Sequence, residues 1–225
     1  MGVKAGELAP RRSWVRELVA KVRPFDILAG AIVLLLGIGA PLFQYGRFVQ
    51  YRGQANIVEL YVYAVVCFAV LCISWISFRD RQWDRSLLLL IGVGVALHVA
   101  GSIPLAGGGR VYDLVAAGIR YDKLVHFFNS FVAARVVLAI LRFEGASLGR
   151  LESLVVVLTV LGVGAAWEIV EYAVVRTVPH NGVGEYDNNM LDLVANLAGS
   201  ICSVWLYRLV HRDDPPPEAG GEEEQ

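Results

Sequence analysis

Six apolar stretches, at positions 25–43, 58–77, 87–105, 121–141, 151–175 and 191–210, dominate this chain. Each is long enough to cross a hydrocarbon core of ~30 Å as a helix rising 1.5 Å per residue. Hydrophobic residues make up 56% of the 225, charged residues 18%, and the mean hydropathy is +0.54. A soluble domain carries about a quarter charged residues and no repeated runs of this length. The expected fold is therefore all-α: a polytopic transmembrane bundle of six helices. The third stretch has the poorest helix signal, because Gly92, Gly94, Gly101 and Pro104 interrupt it.

Basic residues set the expected orientation. Lys4, Arg11, Arg12, Arg16, Lys21 and Arg23 precede the first stretch, and Arg79, Arg81, Arg85, Arg142, Arg150, Arg208 and Arg212 flank the same side. The other side holds only Arg47, Arg52, Arg110, Arg120, Lys123 and Arg176. The positive-inside rule then puts both termini in the cytoplasm, in a multi-pass plasma-membrane protein. Residues 1–24 read as a basic amphipathic segment suited to an anionic membrane surface, with the first apolar stretch a retained signal anchor. Residues 25–210 form the transmembrane domain, and residues 211–225 an acidic, Pro/Gly-rich cytoplasmic tail without stable structure. The three cysteines, Cys67, Cys72 and Cys202, all fall in apolar stretches and read as small buried hydrophobes. Nothing suggests nucleic-acid binding. Membrane lipids are the expected partners, and the oligomeric state is not legible.

The last three stretches carry side chains that a bilayer should reject. Asp122, Lys123 and His126 open one, Glu168 and Glu171 close the next, and Asp192 and Asn196 open the last. An ionisable group at membrane depth costs at least ~2.5 kcal/mol, so it reads as functional. With the N-terminus inside, all of these fall within roughly 10–12 Å of the outer interface. His98, near the outer end of the third stretch, joins them.

Helical spacing puts the polar groups on common faces. Asp122 and His126 are four apart with Asn129 three further on; Glu168 and Glu171 are three apart; Asp192 and Asn196 are four apart, and Gly199 continues their stripe. Gly199 allows another helix to approach closely. One shared, water-accessible cavity follows, with Glu168, Glu171, His126 and Asp192 as its acid, base or divalent-metal ligands, supported by Asn196, Asp122 and His98. Two carboxylates so close need a cation, a shared proton or water. Lys123 and Arg135 read as snorkelling residues, and Asp187 or Asn188 as a helix N-cap. Tyr112, Tyr121, Trp167, Tyr172 and Tyr186 read mostly as an interfacial belt. No polar path toward the inner end is apparent.

Asp122-Lys123-x-x-His126, Glu168-x-x-Glu171 and Asp192-x-x-x-Asn196-x-x-Gly199 together resemble the VanZ-like family of small prokaryotic membrane proteins. They also resemble the YjdF-type inner-membrane proteins, whose Glu-x-x-Glu fits better than the Glu-x-x-Gln of VanZ-like members. The resemblance covers about 121–199. It implies a membrane protein linked in some relatives to glycopeptide-antibiotic tolerance, with no established reaction. Two function classes stay open: an envelope- or lipid-directed enzyme acting on a lipid-linked or envelope substrate, with or without a divalent metal, and a proton- or cation-coupled transporter. Haem ligation by His98 and His126, or a scaffold role, are lesser alternatives.

Overall fold

The computed structural model describes residues 19–52, 54–78, 85–146, 151–177 and 186–211. Most of the basic N-terminal segment and nearly all of the acidic tail lie outside the described residues, as do Arg79, Arg81 and Arg150. Seven helices are described: α1 (Pro24–Phe43), α2 (Tyr45–Arg52), α3 (Gln54–Phe78), α4 (Arg85–Gly101), α5 (Tyr121–Phe143), α6 (Glu152–Thr177) and α7 (Tyr186–Val210). Helices follow from the apolar runs because hydrocarbon offers no partner for a backbone N–H or C=O outside the segment itself. Four of them, α1, α5, α6 and α7, combine the length and hydropathy of a membrane span. The protein is an all-α polytopic membrane protein. Large apolar side chains point outward, as with Ile169 (69% exposed) and Val163 (68%), which lipid tolerates and water would not.

Two groups of helices make the bundle. In the first, Ala29 and Val33 of α1 and Leu71 of α3 form a core with Leu88, Ile91 and Val95 of α4 packed against it. Asp26 at the start of α1 accepts a hydrogen bond from Trp75 Nε1 of α3 at 2.8 Å, pinning the two helices together at one end. Residues Leu35–Gly39 form a π-helical turn. Pro41 explains its position: a proline lacks the N–H and clashes with the carbonyl four residues back, here Gly37, and the wider turn absorbs that conflict. In the second group Ala134 and Leu138 of α5, Val156 and Val160 of α6, and Val204 and Tyr207 of α7 share a core. Helices α5 and α7 are the most closely associated pair, and α4 joins the two groups by packing on α5. Gly199 lets α5 and α7 approach so closely that a Cβ there would collide with the Phe127 carbonyl oxygen.

Two elements depart from the sequence reading. The third stretch was expected to run to Leu105, but α4 ends at Gly101. Beyond it the chain tightens, with Ser102 donating from both its amide and its hydroxyl to the Val99 carbonyl, and Pro104 cannot continue a helix. The loop before α5 then forms a small hairpin, β1 (Val115–Ala116) with β2 (Ile119–Arg120), in the register Val115 to Arg120. Its turn residues Ala117 and Gly118 both have positive φ, 53° and 79°, the requirement of a tight two-residue hairpin. The other addition is α2, a short helix whose Phe48 is buried beside Tyr61 and Ile103. The hairpin aims Arg120 and the start of α5 at the first turn of α7.

Candidate functional site

The first turns of α5 and α7 meet the last third of α6, and there the ionisable side chains gather. Asp192 is 1% exposed. Its Oδ1 accepts from Lys123 Nζ at 2.7 Å and its Oδ2 from Asn188 Nδ2 at 2.9 Å. Lys123 Nζ also donates to Asp122 Oδ2 (3.0 Å), the Asn188 carbonyl (3.0 Å) and Asn188 Oδ1 (2.9 Å). Asn188 Oδ1 in turn accepts from Arg120 Nη1 at 3.2 Å, and Arg120 pairs with Asp113 at 3.3 Å.

This corrects two expectations. Lys123 does not snorkel outward. Its side chain is 12% exposed and turned between α5 and α7, because two carboxylates and a carbonyl offer an ammonium more there than the interface does. Asn188 is no N-cap; it lies inside α7, and its amide joins Lys123 and Arg120 to Asp192.

His126 sits at the centre. Its Nε2 lies 3.4 Å from Asp192 Oδ1 and 3.7 Å from Asp122 Oδ1, while Nδ1 lies 3.9 Å from Glu168 Oε1. Carboxylates therefore face both nitrogens of one imidazole. Glu168 is 6% exposed, and neither of its oxygens has a hydrogen-bond partner among the described residues. A buried, unsatisfied carboxylate is costly unless a proton, a cation or water completes it.

One ligand atom each from Asp122, His126 and Asp192 lie within 4.8 Å of one another. Two bonds of about 2.2 Å together reach about 4.4 Å, so a single divalent ion would hold all three after the side chains close by about a few tenths of an ångström at most. Glu168 meets this set only from the Nδ1 edge of the ring, opposite the Nε2 lone pair that would face the ion. Glu171 stands further apart and accepts from Trp167 Nε1 at 2.7 Å on an exposed flank of α6.

Two amides extend the site inward. Asn196 is 4% exposed and accepts from Ser130 Oγ at 2.7 Å across the α5–α7 contact. Gly164 of α6 leaves it room, since a Cβ there would lie 2.6 Å from Asn196 Nδ2; Gly94 of α4 does the same for Asn129. His126, Asn129, Ser130, Asn196 and His98 all border one cavity of about 330 Å³. His98 is fastened by Tyr112, whose hydroxyl lies 2.7 Å from Nδ1 and 2.8 Å from the His98 carbonyl. A carbonyl only accepts, so both contacts are hydrogen bonds at once only if Tyr112 donates to the carbonyl and Nδ1–H donates to Tyr112. That assigns the Nδ1–H tautomer and leaves Nε2 as the basic nitrogen. Tyr121 likewise donates to the Leu97 carbonyl at 2.9 Å, so these two tyrosines secure the end of α4 rather than serving only as an interfacial belt.

Sequence reasoning passed over Ser130 and gave Lys123 and Asn188 other roles, as a snorkelling residue and a helix N-cap. Their signal lay in spacing across helices: each is polar and within a turn of a residue already singled out, but the partner is more than sixty positions away.

No curated protein and no solved structure matches the chain. Residues 27–213, from within α1 to just past the end of α7, match the profile of a family described as "Predicted membrane protein (DUF2238)". With nearly the whole helical region matched, the chain belongs to the DUF2238 family of predicted membrane proteins.

Proposed function

We propose that the cluster around His126 is the active site of an envelope- or lipid-directed enzyme of the prokaryotic plasma membrane, with the site facing the outer leaflet and both termini in the cytoplasm. The observation that carries this reading is the 330 Å³ cavity. It connects His126 with Val163 and Trp167 of α6, which are 68% and 47% exposed on the bundle's flank. An amphiphile entering from the bilayer would keep its apolar part along α6 and bring its polar part to the imidazole. Asn129, Ser130 and Asn196 supply the few orienting polar groups that ligand cavities use.

His126 is the acid–base residue in this reading. Asp192 and Asp122 at its Nε2 edge stabilise the imidazolium formed when it takes a proton, and Lys123 keeps those two carboxylates oriented. Glu168 at the other edge is the proton acceptor or donor that resets the ring. A divalent cation on Asp122, His126 Nε2 and Asp192 is the metal-dependent form of the same site; it would have to share Asp192 Oδ1 with Lys123. The YjdF-like assignment of the 121–199 motifs belongs with this reading.

Purified protein mixed with total lipids of the host membrane tests it, with lipid species followed by mass spectrometry. A lipid consumed by wild type and spared by His126→Gln supports the enzyme. Identical lipid profiles from the two would end this reading.

Proton- or cation-coupled transport is the second reading, and one observation favours it. The buried face of α7 continues past Asn196 through Ser200, Ser203 and Tyr207, both serines being 0% exposed. This polar line runs toward the opposite end, where the sequence reading saw no path. Proton uptake into proteoliposomes that falls with both Asp192→Asn and Ser203→Ala would decide for transport.

A further inference from the structure

At the end of the bundle away from the carboxylates, the last turns of α5 and α7 and the first turns of α4 enclose a second cavity, of about 560 Å³. Arg135 and Arg142 of α5 both lie over the ring of Tyr207, with guanidinium carbons 5.1 Å and 4.7 Å from its centroid. His211 stacks on the same ring at 4.3 Å, and its Nδ1 donates to the Tyr207 carbonyl at 3.0 Å. Two guanidiniums and an imidazole thus share one aromatic ring.

Such an arrangement gathers positive charge around one ring. The ring face attracts each cation, while the two guanidiniums, Arg135 half-buried and Arg142 exposed at the end of α5, repel one another. Arg142 forms no ion pair among the described residues; its guanidinium turns onto the ring. The carbonyl end of α7 already has His211, so charge–dipole pairing there does not call for both arginines. The N-terminal end of the 17-residue α4, the positive end of its dipole, borders the cavity through Leu87 and Leu90. Around these charges the lining is apolar, with Leu138, Phe143 and Val210.

We propose that this cavity binds a phosphate-bearing anion, its phosphate held between Arg135 and Arg142 and any apolar remainder lying along Phe143 and Val210. Planar guanidiniums pair with phosphate oxygens two at a time, and basic pockets between membrane helices suit anionic headgroups. The shared chemistry is the phosphate group. An acidic phospholipid and free phosphate are its two sources.

The test uses the purified full chain. Thermal unfolding and native mass spectrometry are measured with phosphatidylglycerol, with phosphatidylcholine and with inorganic phosphate, for wild type, Arg135→Gln, Arg142→Gln and Arg142→Lys. Phosphatidylglycerol should be retained and should raise the unfolding temperature, phosphatidylcholine should do neither, and each Gln variant should bind about tenfold or more weakly. Arg142→Lys should recover part of that loss. Stabilisation by inorganic phosphate alone, lost in the Gln variants, supports the site with a soluble ligand. If Arg135→Gln does not fold, the exposed Arg142 carries the comparison. No response to either anion, equal retention of phosphatidylcholine, or undiminished binding by Arg142→Gln would overturn the proposal.

Discussion

Lys123 Nζ lies 2.7 Å from Asp192 Oδ1, joining the first turn of α5 to a carboxylate that is 1% exposed in the second turn of α7. The pair explains how a carboxylate can be buried so deeply in this chain: the ammonium beside it replaces part of the lost hydration, and Asn188 replaces more. Removing Lys123 leaves Asp192 buried and charged without its ammonium. Lys123→Ala is therefore expected to destabilise the protein by about 3–5 kcal/mol, and the Lys123→Ala/Asp192→Asn double variant by less than the two single changes added together. Denaturant unfolding of the four proteins measures this. A wild-type midpoint for Lys123→Ala would mean that the ammonium reaches the interface after all.

Glu168 has the opposite character. Its buried oxygens have no hydrogen-bond partner among the described residues, so replacing the carboxylate with a neutral isostere removes a cost. Glu168→Gln should unfold at the same temperature as wild type or higher, while losing activity. A clear drop in unfolding temperature would show that Glu168 supports the fold.

A bound divalent ion would appear as stabilisation. If Asp122, His126 and Asp192 hold one, Mn²⁺ or Zn²⁺ should raise the unfolding temperature, a chelator should reverse the gain, and Asp122→Asn should abolish it. Equal responses from wild type and Asp122→Asn would locate any ion elsewhere.

Close packing of α5 on α7 rests on Gly199. Gly199→Ala drives a methyl group into the Phe127 carbonyl and should cost about 1–3 kcal/mol. Gly162→Ala, where a Cβ meets nothing within 4 Å, should stay within about 0.5 kcal/mol of wild type. If the two variants unfolded alike, the α5–α7 contact would be looser than described.

Orientation is tested by labelling intact cells with an impermeant thiol reagent, in a background lacking Cys67, Cys72 and Cys202. Cysteine at Gly107, on the loop before the hairpin, should react, and cysteine at Ala146, just beyond α5, should not. The reverse pattern would turn the carboxylate site toward the cytoplasm.

The sequence by itself determined the helices and the faces they present. Apolar runs spanning a bilayer can satisfy their backbones only as helices, and a 3.6-residue repeat puts Asp122 with His126 and Asp192 with Asn196 without reference to any other segment. Gly199 could be read as a close-approach residue for the same reason. What the sequence left open was every choice between helices. Lys123 could equally extend to the interface or turn inward; the turn inward depends on Asp192 and Asn188, sixty-five or more positions away. Whether Glu168 or Asp122 stands with Asp192 beside His126 Nε2 depends on how α6 rotates against α5 and α7, and the Asn196 and Gly164 contact fixes that only in three dimensions. Spacing puts Ser200 and Ser203 on the Asp192 face, but only the packed bundle shows that they are fully buried there. Periodicity within a helix is local and survives in the sequence, whereas the rotation and depth of one helix against another are properties of packed surfaces and exist only in the folded bundle.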